Sequence, residues 1–166
     1  MGSALRDSAV SDLLARVGPG FFQQAFVVAN LDAAMDAFTE TAGCEKWTTF
    51  PAIGTPYVYR GREIESSVAL AFSRSGKVQI ELLQPIDGEG LTQDFLAEYG
   101  PGAHHLGYLV QDLDEGVAAA ETDGIEAVMS GSIGTLRWTY LDTFKALGVY
   151  TELVQDPDGL IATLTP

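Results

Sequence analysis

The sequence predicts an α+β fold in which two βαβββ modules form an open, mostly antiparallel sheet around a central cleft. Three observations carry this. The two halves of the chain repeat one pattern: an aromatic and β-branched run, a capped helix, and a glycine stop. Each half then continues with short strand-like runs separated by polar or glycine-rich turns. Polar residues also occupy matching positions in strands that are otherwise apolar.

Residues 1–19 read as an N-terminal helical extension. Val10, Leu13, Leu14 and Val17 recur at helical spacing, and Gly18-Pro19-Gly20 stops the helix. Residues 20–166 read as a single domain: module one at 20–86, a linker at 87–102 and module two at 103–166. Module one opens with the strand run Phe21-Phe22-Gln23-Gln24-Ala25-Phe26-Val27-Val28. Asn30 caps a helix that keeps Leu31, Met35 and Phe38 on one face and ends at Gly43. Strands follow at Tyr57–Arg60, Ser67–Phe72 and Val78–Leu83, the last two joined by a polar hairpin turn. In the linker, Leu91–Leu96 suits one or two helical turns. Module two opens with His104-His105-Leu106-Gly107-Tyr108-Leu109-Val110. Asp112 and Glu115 make a capping-box-like start to its helix, which Gly124 stops. Its further strands are Ile125–Val128, Leu136–Leu141 and Val149–Val154.

Composition narrows the function. A 46% hydrophobic content and a mean hydropathy of +0.11 can supply a core. The net charge of −14 argues against nucleic acid, which needs clustered Lys and Arg, and gives no help at an anionic membrane surface. It suits solubility, or attraction of cationic ligands. One cysteine, Cys44, excludes an internal disulfide and a Cys-rich zinc site. No apolar run approaches the ~20 residues of a membrane span. The N-terminus has no signal-peptide pattern, so the expected location is cytoplasmic.

Four residues stand out. Gln23 lies in the first strand of module one and Glu81 in its last; His105 and Glu152 hold the same places in module two. Gln23 precedes Leu31 by eight residues, and His105 precedes Leu113 by eight. Side chains alternate along a strand, so Gln23, Ala25 and Val27 share one face, as do His105, Gly107 and Leu109. If the modules pair about a pseudo-twofold, those faces meet. A carboxylate buried in an apolar strand is costly unless paired or metal-bound, and convergent His and carboxylate groups suit a divalent ion. Each residue taken singly also fits the solvent face of an antiparallel sheet.

The runs "FFQQAFVVANLDAAMDAF", "SGKVQIELLQP", "GAHHLGYLVQDLDEG" and "LGVYTELVQ" resemble the vicinal-oxygen-chelate (glyoxalase/bleomycin resistance/dioxygenase) superfamily over roughly residues 20–164. Motif order is closest to the methylmalonyl-CoA epimerase-like branch. The resemblance implies metal ligands at Gln23, Glu81, His105 and Glu152. That set is similar to one glyoxalase I class, although the epimerase branch usually has His where this chain has Gln23. The implied cofactor is a divalent metal ion: zinc, nickel, cobalt, manganese or magnesium.

What the resemblance implies chemically is an isomerase or epimerase, or a glyoxalase-type lyase. Such an enzyme abstracts a proton next to the carbonyl of a small-molecule substrate while the metal stabilises the enolate. Glu152 is expected to act as ligand and base, with Glu65 as a second candidate base that also fits a solvated charge beside Arg62 and Glu63. His104 is expected to point away from His105 and serve structure or hydrogen bonding. Arg60, Arg62 and Arg137 are possible contacts for an acidic substrate group. The alternative is a non-catalytic, antibiotic-sequestering binder similar to bleomycin-resistance proteins, which the acidity favours. An extradiol dioxygenase ranks lower, because Gln23 stands where a second His would be required. A homodimer is expected by resemblance.

Overall fold

The computed structural model describes the backbone of residues 2–165 and the side chains of residues 8–165. The first helix, α1 (Gly2–Val17), passes through a short 3-10 turn into β1 (Phe21–Val27) and α2 (Leu31–Ala42). Four strands follow: β2 (Thr48–Phe50), β3 (Gly54–Tyr59), β4 (Arg62–Ser75) and β5 (Val78–Gly88). After α3 (Leu91–Tyr99) come β6 (Gly102–Leu109), α4 (Leu113–Thr122), β7 (Ala127–Ile133) and β8 (Leu136–Leu141). The chain ends with α5 (Phe144–Leu147), β9 (Tyr150–Gln155) and α6 (Leu160–Thr163). Among the described residues, no helix is long and apolar enough to cross a membrane.

The repeat has a direct physical counterpart. Asn30 accepts from the Ala33 N–H and Asp112 from the Glu115 N–H, so both repeat helices start on a side-chain cap. Each is entered from an equivalent strand, and each of those strands, β1 and β6, pairs in parallel with the last strand of its own module, β5 or β9. The modules meet where β1 and β6 run antiparallel.

The fold class is mixed α+β, but the expected open sheet is closed. The strand order β2-β4-β3-β7-β8-β9-β6-β1-β5 returns on itself because β4 also pairs with β5, leaving an eight-strand ring with β2 added along β4. At 14 residues, β4 is long enough to meet β3 near its start and β5 further along. The seam between modules is short: Val58 faces Ser130 and Tyr59 faces Met129. It closes because β3 and β7 would otherwise leave backbone donors and acceptors unpaired at two edges. Periodicity in the sequence says nothing about such edge-to-edge pairing. β7 also begins later than the expected Ile125–Val128 strand and continues to Ile133.

Helices cover the outside of the ring. Phe26, Val28, Ile80 and Leu82 face α2, so their alternates Gln23, Ala25, Val27, Gln79, Glu81 and Leu83 face inward. At one end α3 lays Leu91 and Phe95 into the interior. At the other end, Gln79 meets the carbonyl of Ile161 and the hydroxyl of Thr165.

The helix α1 contributes to the core of module two. Ala9, Val10, Leu13 and Val17 are buried against Leu113, Leu141 and Leu153. Leu13 is only 1% exposed. Truncating it to Ala should cost about 2–5 kcal/mol. At roughly 2–4 °C per kcal/mol for a domain of this size, the melting temperature of Leu13→Ala should fall by about 4–20 °C. An unchanged melting temperature would show that the extension is dispensable to the domain.

A candidate metal centre inside the strand ring

The four residues singled out in the sequence come together. His105 Nε2 lies 3.3 Å from Glu81 Oε2, 3.3 Å from Glu152 Oε2 and 3.1 Å from Gln23 Oε1. The same Gln23 oxygen position is 3.2 Å from each of the two carboxylate oxygens. Parallel pairing brings this about: β5 places Glu81 beside Ala25 of β1, and β9 places Glu152 beside Gly107 of β6. Gly107 is required there, since a β-carbon would meet Gln23 Cβ and Oε1 at 3.0 Å.

These separations fit a shared cation. Donors at about 2.0–2.2 Å from one ion lie about 2.8–3.6 Å from each other when they are neighbours around it. The Gln23 amide matters to that fit. Among the described residues, no three His, Cys, Asp or Glu side chains are disposed to hold an ion by themselves; here the Gln23 oxygen sits between the two carboxylates and completes the set. Gln23 Nε2 donates to Gln79 Oε1 at 2.7 Å, while Gln79 Nε2 reaches Ile161 O and Thr165 Oγ1 at 3.4 Å. The reversed amide would donate to both carboxylates but would face the Gln79 oxygen with its own at 2.7 Å. The Gln79 relay therefore favours the orientation that turns a carbonyl oxygen toward the acceptors.

Four acceptors so close together repel one another unless positive charge lies among them. Burial pushes Glu81 upward from the usual carboxylate range, against the pull of His105. For His105, burial favours the neutral ring, but the hydrogen bonds and charges of Glu152 and Glu81 outweigh it and raise its pKa to about 9. A divalent ion supplies more charge than that one proton and leaves His105 Nε2 free as a ligand. His105 Nδ1, 2.9 Å from His104 Nδ1, then donates to it and holds the ring in place.

His104 departs from expectation. It was to face away from His105, yet both are fully buried on the inner side. A β-bulge is the reason: Ala25 pairs with His105 but Phe26 pairs with Ala103, so His104 has no partner of its own and the alternation breaks. Its ring packs against Phe95, Tyr140 and Tyr150. Burial, and then the neighbouring His105 charge, lower its pKa well below the ordinary imidazole value.

Glu65 is not brought to the cluster. It is exposed on β4, with its carboxylate beside Gly54. Seven residues separate it from Phe72, the cross-strand partner of Glu81, a span of roughly 20 Å along the strand. Arg60, Arg62 and Arg137 are each tied to a carboxylate, on Asp94, Glu89 and Asp114 respectively. One functional candidate, Gln79, escaped sequence reasoning, although it had a signal, since it lies two residues before Glu81 and so shares its face. Tyr140 lies beside the cluster, its ring centroid 4.9 Å from that of His105. Burial, then Glu152 and Glu81, push its hydroxyl well above its usual pKa.

Comparison with known proteins agrees with this architecture. The sequence model of the Glyoxalase/Bleomycin resistance protein/Dioxygenase superfamily matches residues 22–140, and the chain belongs to that superfamily. Among solved structures, methylmalonyl-CoA epimerase from Mycobacterium tuberculosis is 25% identical, with a TM-score of 0.59 over 86% of this chain and 91% of the other. The hypothetical protein BH1468 from Bacillus halodurans gives a TM-score of 0.61 at 18% identity, covering 83% of this chain and 94% of the other. Streptomyces coelicolor methylmalonyl-CoA epimerase bound to 2-nitronate-propionyl-CoA gives 0.55 at 21% identity, covering 82% and 96%. A curated relative, the uncharacterised protein YqjC of Bacillus subtilis, is 26% identical over 76 residues, which are 46% of this chain. The match spans about half of that protein's length, 54%. The branch that these structures represent is the epimerase-like one.

If the Gln79 relay orients Gln23, Gln79→Ala should weaken divalent-metal affinity by about 10–100-fold, the usual effect of losing an outer partner of a ligand. Competition against a chelator of known affinity measures this. An affinity equal to the wild type would show that the amide orients itself without Gln79.

Proposed function

We propose that the chain is a divalent-metal-dependent isomerase or epimerase, or a glyoxalase-type lyase, that removes a proton next to a carbonyl. The observation that carries this reading is the meeting of His105, Gln23, Glu81 and Glu152 from both modules, with His105 and Gln23 each 3.1–3.3 Å from the other three, inside the strand ring. In this reading Gln23, Glu81, His105 and Glu152 hold the ion. Zinc, nickel, cobalt, manganese and magnesium all suit oxygen and imidazole donors to different degrees. The bound ion supplies positive charge near the carbonyl oxygen as negative charge develops there.

The remaining work falls to the protein. Glu152, a ligand in the resting site, detaches on substrate binding, takes the proton from the carbon next to the carbonyl, becoming a neutral acid, and releases it again. Return by Glu152 to the neighbouring carbon gives the isomer; the epimer requires that the planar enolate turn over before Glu152 returns the proton, or that a second acid deliver a proton to the opposite face. Glu152 is preferred over Glu65 because its carboxylate is in the cluster. His105 is fully buried and fixed by His104, so it orients rather than moves. Tyr57, Tyr59, Trp138 and Tyr140 wall the same interior and keep water low around the reacting carbon.

The net charge of −14 supports a second reading, a cleft that sequesters a cationic compound. Metal content separates the two. Protein purified without added metal should carry about one divalent ion per chain by elemental analysis. His105→Ala should carry none while its far-ultraviolet circular dichroism stays unchanged. Full metal content in that variant would remove His105 from the site, and a metal-free wild type that tightens around cationic ligands would favour the binder.

A further inference from the structure

Nine Lys and Arg face 23 Asp and Glu in this chain, yet Arg74 and Lys77, which line one cavity, have no ion-pair partner among the described residues. Arg16, Arg60, Arg62 and Arg137 each have a carboxylate within 2.6–3.9 Å. Arg74 has none among the described residues. Its Nε donates to Thr165 O and its Nη1 to Lys77 O, both at a long 3.4 Å. The guanidinium is thus positioned by backbone carbonyls, with no ion pair among the described residues.

Its place in the fold gives that charge a use. Phe72 pairs with Glu81, and two residues on, Arg74 pairs with Gln79, the residue that holds the Gln23 amide. Arg74 therefore lies on the inward face of β4, one step beyond the cluster toward the end of the ring. A cavity of about 250 Å³ opens there, lined by Arg74, Lys77, Gln79 and Ile161. Asp156 also borders it, but its two carboxylate oxygens accept from the Leu160 and Ile161 N–H groups. Two strand residues span about 7 Å.

We propose that Arg74, assisted by Lys77, anchors an anionic group of the substrate, so that the substrates are carbonyl compounds carrying a carboxylate or phosphate about 7 Å from the reacting carbonyl. This rests on the reading of the cluster as a metal centre. It also departs from the assignment of acidic-group recognition to Arg60, Arg62 or Arg137, whose charges are already matched.

Two metal-chelating probes of equal length test it: hexanohydroxamate, with an uncharged tail, and the monohydroxamate of adipic acid, whose tail ends in a carboxylate. On zinc-loaded protein, calorimetric titration should show the carboxylate probe binding about tenfold more tightly. Arg74→Gln should remove that preference without changing the affinity of hexanohydroxamate, and Arg74→Lys should retain part of it. Competition by inorganic phosphate stronger than that by acetate assigns the subsite to a phosphate, and the reverse order to a carboxylate. A preference that survives Arg74→Gln, or equal binding of the two probes to wild type, overturns the anion subsite while leaving the metal centre standing. Failure of both hydroxamates to bind overturns the metal centre and the subsite together.

Discussion

The structure turns on a repulsion that must be balanced: three oxygens and an imidazole nitrogen from four strands face one another at about hydrogen-bond distance in a nearly dry interior. Burial makes such a set expensive, and a cation or shared protons in its midst offset the cost. The outer partners reinforce the arrangement. Gln79 turns the Gln23 oxygen inward, and His104 holds His105 by its remote nitrogen. Leaving Gly107 without a side chain keeps room for Gln23. The ring closure at the β3–β7 seam and the plug formed by α3 hold these groups away from bulk water.

The two-module plan explains why the cluster contains one pair from each half. Each module on its own brings one residue of its first strand near one carboxylate of its last, because those strands run parallel and adjacent. Antiparallel docking of β1 on β6 then sets the two pairs face to face. The proposed metal centre therefore depends on the interface between modules, with each proposed ligand carried on a strand. The asymmetry between Gln23 and His105 gives the cluster one neutral amide and one titratable ring in equivalent places.

Much of this was legible in the sequence. Repeat-equivalent polar residues in apolar strands pointed to Gln23, Glu81, His105 and Glu152, because strand alternation is a local rule and the repeat related the halves. Three features were not legible because they are not local. Closure of the sheet depends on two short edge pairings between segments distant in sequence. The inward turn of His104 depends on a single-residue bulge, which shifts every alternation argument by one. The remoteness of Glu65 follows from the length of β4, which the sequence divides no differently from two short strands. Arg74 was overlooked for another reason: its interest lies in the cavity it shares with Lys77 beside Gln79, which is visible only in three dimensions.

The central claim is that a single imidazole and oxygen donors from both modules share one ion. X-ray absorption spectroscopy at the metal edge of the zinc-loaded protein reads that shell directly. The account predicts only light donors, nitrogen or oxygen at about 2.0–2.2 Å, with the outer-shell scattering of one imidazole ring. A sulfur donor, two imidazoles, or no imidazole at all would contradict it.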